Sequence, residues 1–212
     1  MIYPKRNLYR ILYAKYFERK PEELLAFAGS LNGKKILDLC GGSGRVSQTA
    51  LRLGASECKL VDRSLEMVPD NLDSRISVEN VDIFIAFQSL NTKYDVAVCQ
   101  QGINYWFSTN AIELLYESLV DGGIFVFNTF NQKPPTKPSV KKYNYEGKNY
   151  VEISWLVGKN KVHHVQICEF YEAHTTQFLW IPSCEFKEVL NPRFEITETK
   201  QGRTSIYRCV KK

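Results

Sequence analysis

Five short apolar stretches, separated by helical patterns, recur between residues 35 and 128, and this alternation constrains the fold more than any other feature of the 212-residue chain. The stretches are Lys35–Leu39, Cys58–Val61, Ile76–Val81, Tyr94–Cys99 and Ile124–Asn128. Between them the spacing predicts helices over Arg45–Leu53, from Ser64 to about Val68, over Ile83–Leu90 and over Asn110–Leu119, the last ended by Asp121-Gly122-Gly123. Strands that read as apolar runs are buried on both faces. Strand–helix repetition of this length therefore gives a parallel sheet covered on both sides, an α/β fold.

The flanks read differently. Residues 5–29 are helical in pattern, and Tyr9, Tyr13 and Tyr16 share one face. Pro21 starts a second helix, and Asn32-Gly33 turns the chain into the first strand. After Asn131 the run Gln-Lys-Pro-Pro-Thr-Lys-Pro (132–138) is a connector that cannot join a central strand. Strand-like stretches follow at about 148–156, 162–172 and 175–180, then a helix over Pro182–Leu190. Phe194–Thr199 and Ser205–Val210 pair about Gln201-Gly202. This organisation reads as one domain: an N-terminal helical cover (1–33), a core (34–131), an antiparallel β insertion (132–181), and a final helix and hairpin (182–212).

Composition excludes several classes. Hydrophobic residues at 44% and charged residues at 24% are ordinary for a globular chain and argue against disorder. The net charge of +5 is mild and unclustered, apart from Lys141-Lys142 and Lys211-Lys212, which argues against a nucleic-acid partner. None of the six cysteines forms a C-x-x-C pair or another metal-ligand spacing, so no metal is expected. They read as reduced core thiols of a cytoplasmic protein. No apolar run is long enough to span a membrane, and no leader pattern is visible.

The chemistry concentrates at Asp38-Leu39-Cys40-Gly41-Gly42-Ser43-Gly44. A buried strand enters a glycine turn and a helix begins at once. Glycine lets backbone approach a ligand closely, and a helix N-terminus presents unpaired N–H groups, which suits a carboxylate or a phosphate. Eighteen residues past Gly44, Asp62 ends the second strand, where an acid accepts both ribose hydroxyls in nucleoside-binding folds of this architecture. The ligand belongs in the crevice at the carboxyl ends of the strands. Two nucleoside cofactors compete. A dinucleotide fingerprint counted from Gly42 and Gly44 puts Ser47 at its third glycine and fits poorly. The pattern acid-x-G-x-G-x-G is met at Asp38, Gly42 and Gly44, with Cys40 in place of the first glycine.

On these residues the chain resembles the class I S-adenosylmethionine-dependent methyltransferases, clearly over residues 34–131. Val61-Asp62-Arg63-Ser64-Leu65-Glu66-Met67 resembles the family segment after the second strand. Val81-Asp82-Ile83 resembles its adenine-edge segment, and Tyr94–Cys99 its fourth strand. The resemblance implies a Rossmann-like doubly wound sheet, mostly parallel with an antiparallel last strand, and an antiparallel β lid. It implies S-adenosyl-L-methionine as cofactor, held by Asp38, Cys40, Gly41, Gly42, Gly44, Asp62, Arg63, Met67, Asp82, Ile83, Cys99 and Gln100. In that reading Asp82 accepts from the adenine amine, although it also reads as a helix cap. A Cβ at Cys40 is accommodated where the backbone keeps an ordinary dihedral.

The acceptor end is less determined. The segment Gln100–Trp106 lacks the [DN]-P-P-[YF] run of enzymes that methylate nucleobase amines, and no Pro-Cys nucleophile is visible. Tyr13, Asn104, Tyr105 and Trp106 are expected to line a substrate pocket. His163, His164 and His174 all fall in the lid segment and supply at most one general base, since neighbours in a strand face opposite ways. The expectation is methyl transfer to N or O of a small molecule. The alternatives are an RNA or protein methyltransferase and a non-catalytic binding domain on the same fold.

Overall fold

The computed structural model of the chain describes residues 21–64, 67–145, 147–168 and 174–212. The tyrosine face expected over Tyr9, Tyr13 and Tyr16 lies outside the described residues. Five strands form the parallel part of one sheet: β1 (Lys35–Leu39), β2 (Glu57–Val61), β3 (Ile76–Glu79), β4 (Tyr94–Gln100) and β5 (Leu119–Phe130). The hairpin of β10 (Phe194–Gln201) and β11 (Thr204–Lys211) completes it, with β11 antiparallel to β5 and to β10. The spatial order is β10-β11-β5-β4-β1-β2-β3. From β1 the chain first builds outward through β2 and β3, then returns to lay β4 on the other side of β1. That reversal opens a crevice at the carboxyl ends of β1 and β4.

Alternate residues of each strand serve opposite faces. Leu37, Leu39, Ala97 and Cys99 pack under helices α3 (Ile83–Ser89), α4 (Thr109–Ser118) and α5 (Ser183–Leu190). Ile36, Val96 and Val98 pack under α1 (Pro21–Leu25) and α2 (Arg45–Arg52). These strand residues are wholly inaccessible to solvent, and burying an aliphatic side chain of such size stabilises by about 1.5–3 kcal/mol. At the β5–β11 end, Phe127 stacks on both Phe125 and Tyr207, with centroids 4.9 and 4.7 Å apart.

Two elements differ from the sequence expectation, and the helix expected from Ser64 to about Val68 falls partly outside the described residues, with Ser64 and Val68 themselves not helical. Strand β5 starts at Leu119 rather than Ile124. Tyr94 pairs with Leu119 and Val96 with Ile124, so Asp121-Gly122-Gly123 forms an irregularity inside the strand, with Gly122 at φ 71°. The insertion has four strands rather than three: β6 (Ser139–Tyr145), β7 (Lys148–Val157), β8 (Lys161–Cys168) and β9 (His174–Leu179), antiparallel in that order. Strand β6 escapes a hydrophobic pattern because Ser139-Val140-Lys141-Lys142 is an edge, and lysines on an edge are compatible with solvent.

Asn104 ties this second sheet to the first. Its Nδ2 donates to the Leu179 carbonyl at 2.6 Å, and its Oδ1 accepts from Thr129 Oγ1 at 2.7 Å. No described helix is long and apolar enough to cross a membrane.

Candidate active site

The loop after β1 is held in an unusual shape. Cys40 has φ 56° and Gly42 φ 51°, and Gly44 at φ 72° precedes α2. Cys40 thus occupies the left-handed region, contrary to the expectation of an ordinary dihedral, at a strain of about 1–2 kcal/mol. Its side chain is accommodated because residue 102 is glycine. A Cβ on Gly102 would stand 2.5 Å from Cys40 Cβ and 3.0 Å from Cys99 Sγ.

Asp38 lies beneath this loop. Its Oδ2 accepts from the Ser47 backbone N–H at 3.1 Å and from Ser47 Oγ at 2.7 Å, so the acid itself takes up one of the free N–H groups of α2. Its Oδ1 has no partner. Burial pushes the carboxyl up to about 7, against the lowering effect of the Ser47 bonds.

Asp62 closes the loop from β2. Its Oδ2 accepts from Gly42 N at 2.9 Å and its Oδ1 from Ser64 N at 2.8 Å. Burial raises its pKa, and the two N–H bonds pull it back. Each oxygen keeps a further lone pair, the capacity that two vicinal hydroxyls would use. Asp82 caps α3 through Oδ1 on Phe84 N, 3.1 Å, while Oδ2 lies 3.7 Å from the Arg63 guanidinium. The cap leaves Asp82 on the wall of the site, so capping and ligand contact are compatible.

One cavity of about 480 Å³ runs from this loop to the second sheet, a size typical of small-molecule sites. Of the residues expected at the cofactor, Cys40, Gly42, Asp62, Arg63, Met67, Asp82, Ile83 and Gln100 line it. Asp38, Gly41, Gly44 and Cys99 stand behind the wall and shape the loop instead. Of the expected pocket residues, Asn104, Tyr105 and Trp106 line it. Both ends of the Asn104 amide are already spent between the sheets, so its role is structural. Trp106 is also largely core, packed edge-on against Phe87.

The histidines separate by strand phase. His163 lies on the outer face of the second sheet with Trp155, ring centroids 5.4 Å apart, which removes it as a base for this cavity. The side chain of His174 lies outside the described residues. His164 is buried on the inner face and lines the cavity, its Nε2 3.2 Å from Glu152 Oε1 but not aligned as a hydrogen bond. Burial lowers its pKa and Lys141 lowers it further, while Glu152 raises it. The net direction is down, so the imidazole is neutral near pH 7.

Several further residues line the wall, most of them not anticipated from the sequence. Gln101 stands at φ 61°, held there by its N–H bond to Asn128 Oδ1 at 2.7 Å. Glu152 and Ser154 come from β7, and Phe178 and Trp180 from the end of the insertion. Lys133, Lys141 and Arg203 complete that end. A period-two reading of β7 and β8 would have paired Glu152 with His164, but only once the strand register was known.

Comparison with known proteins bears on this arrangement. A family model described as a methyltransferase domain matches residues 13–179. No curated protein matches the sequence. Among solved structures, DesVI of Streptomyces venezuelae superposes with a TM-score of 0.74 at 14% identity, covering 97% of this chain and 98% of that one. KedS8 of Streptoalloteichus sp. ATCC 53650, a sugar N-methyltransferase, gives 0.73 at 16% identity over 100% and 96%. CalS10 of Micromonospora echinaspora, an amino pentose methyltransferase solved with S-adenosylmethionine bound, gives 0.70 at 12% identity over 100% and 99%.

Proposed function

The chain belongs to the class I S-adenosylmethionine-dependent methyltransferase family, and on that premise we propose that it methylates the nitrogen of a small-molecule amine held beneath the second sheet. The observation that carries this reading is the buried, neutral His164 beside Glu152, on the same cavity as the glycine loop. Two of the structural neighbours are described as an amino pentose methyltransferase and a sugar N-methyltransferase, which supports an amine acceptor.

The residues fit the cofactor. Asp62 retains acceptor capacity toward a ribose, Met67 and Arg63 line the cavity where they would flank the adenine, and the unpartnered Oδ1 of Asp38 sits under a loop that would receive a cationic amino-acid portion. The cofactor supplies an electrophilic methyl group on a sulfonium. The protein must then present a free lone pair. An alkylamine has a pKa near 10, about that of lysine, and arrives as ammonium without one. Neutral His164 takes that proton, and Glu152 stabilises the imidazolium that forms. The Glu152 carboxylate near Nε2 favours the tautomer protonated there and leaves Nδ1 as the acceptor. A hydroxyl acceptor would have to be ionised from a pKa near that of water, about 15.7, which this pair is poorly matched to do. The covering sheet excludes water from the transfer.

Transfer of labelled methyl from S-adenosylmethionine to a panel of amines and their hydroxyl counterparts tests the reading. Amines are expected as acceptors, and His164→Gln should lower turnover by about 10²–10⁴-fold with cofactor affinity unchanged. Cofactor binding without transfer to any amine, or full turnover in the variant, would refute it.

A further inference from the structure

The two ends of the cavity differ in charge. At the glycine-loop end, Asp62 and Asp82 stand against Arg63, two negative charges against one positive. At the sheet end, Lys133, Lys141 and Arg203 stand against Glu152 alone, three positive charges against one negative, with His164 neutral. The loop end therefore matches a cofactor of net positive charge, and the sheet end matches the opposite.

The three cations are available. Among the described residues, none of them pairs with a carboxylate, whereas Arg63, Lys59, Lys187 and Arg193 each do. Their backbones are fixed. Leu156 N donates to Pro135 O at 2.8 Å and anchors the proline connector that carries Lys133. Lys133 Nζ lies 5.8 Å from the centroid of the Trp180 ring. Asn131 N donates to Arg203 O at 3.1 Å and its Nδ2 to Gly202 O at 3.2 Å, which ties the β10–β11 turn to the end of β5. Lys141 stands opposite Glu152 in register. Three separate segments thus bring exposed cations, none with a carboxylate partner among the described residues, to the rim of one cavity.

Resting on the amine-methyltransferase reading above, we propose that the acceptor is an anionic amine, whose phosphate or carboxylate group is held by Lys133, Lys141 and Arg203 while its nitrogen stands at His164. The anion offsets the surplus positive charge, orients the acceptor, and offers two or three charge-assisted hydrogen bonds. A purely cationic amine is repelled from the same end.

Calorimetry on the protein, free and loaded with S-adenosylhomocysteine, tests this with inorganic phosphate, inorganic pyrophosphate and succinate as probes. One anion per chain is expected to bind, with affinity falling as salt rises. The double variant K141M/R203M should bind it at least about tenfold more weakly, with S-adenosylhomocysteine affinity and thermal midpoint unchanged. Phosphate or pyrophosphate binding without succinate assigns a phosphorylated acceptor, and the reverse assigns a carboxylate. If S-adenosylhomocysteine binds but no anion does, or if the double variant binds the anion as well as the parent, this inference alone is overturned. If the anion binds but S-adenosylhomocysteine does not, the methyltransferase reading falls and takes the acceptor assignment with it.

Discussion

Binding of S-adenosylmethionine should release protons near pH 7, and Asp38 is the group that loses them. In the cofactor-free protein its carboxyl titrates at about 7 because burial disfavours the anion. The cofactor brings one net positive charge, a sulfonium and an ammonium against its own carboxylate, to a cavity one loop away from it. A unit charge at about 8 Å and an effective dielectric of about 20 interacts by about 2 kcal/mol, enough to ionise most of the carboxyl at pH 6 and above. With the bound state ionised, the proton released equals the protonated fraction of the free protein. That fraction is about 0.9 at pH 6, about 0.5 at pH 7 and about 0.1 at pH 8. Affinity should therefore rise by about tenfold from pH 6 to pH 8. Calorimetry in buffers of different ionisation enthalpy measures the release directly. Asp38→Asn keeps an oxygen for the Ser47 donors and removes the titration, so the difference between parent and variant isolates this group from the cofactor's own amine. Identical proton release in the two proteins would sink the argument. Folding stability carries the opposite sign. The native state binds this proton more tightly than the unfolded chain, so stability of the cofactor-free protein falls as pH rises from about 4 to 7, by up to about 4 kcal/mol. Asp38→Asn should flatten that slope in denaturant titrations.

Gly102→Ala should destabilise by about 1–3 kcal/mol, since its Cβ would overlap Cys40, and adding Cys40→Gly should recover most of the loss in a double-mutant cycle read by urea unfolding. Asn104→Ala should cost about 2–3 kcal/mol by orphaning the Leu179 carbonyl and the Thr129 hydroxyl, and hydrogen exchange should rise first in β9. The rate of methyl transfer should fall as pH drops below the ordinary histidine value of 6.5, because the His164 pKa is shifted downward. Glu152→Gln, which removes the stabilising anion, should move that acidic limb further down in pH and lower its plateau.

The cofactor half was legible because its signals are local. An apolar strand, a glycine turn and a helix start occupy adjacent residues 35–52, and Asp62 and Asp82 end the next two strand patterns in turn. The acceptor half is assembled by register. Lys141 meets Glu152 only because β6 pairs with β7, and Glu152 reaches His164 only as a diagonal across β7 and β8. Period two states that His163 and His164 face opposite ways. Which of them faces inward depends on how the whole sheet docks, and Asn104 fixes that docking from a loop that reads as pocket lining. Strand β6 was invisible for the same reason that it is useful. Its lysines break a hydrophobic pattern and place a cation on the wall.

Cys40 shows how a motif can depart from its pattern while the space it governs is conserved in shape. A glycine at the first turn position normally does two things: it permits a left-handed dihedral and it leaves room above the strand ends. Here the dihedral is kept at φ 56° by a residue with a Cβ, and the room is supplied from across the sheet by Gly102, in the loop after β4. The strain at Cys40 is offset locally. Gly41 N bonds to Val61 O at 3.2 Å and Gly44 N to Gly41 O at 2.9 Å, so the turn is fixed from β2 and from within. The thiol then packs against Cys99 Sγ, and that contact with burial holds it in the protonated form. A protonated thiol packed against a second sulfur is a small apolar filler rather than a nucleophile. The irregular residue of the loop therefore belongs to its architecture, and the base proposed for the transfer stands elsewhere on the cavity wall, at His164.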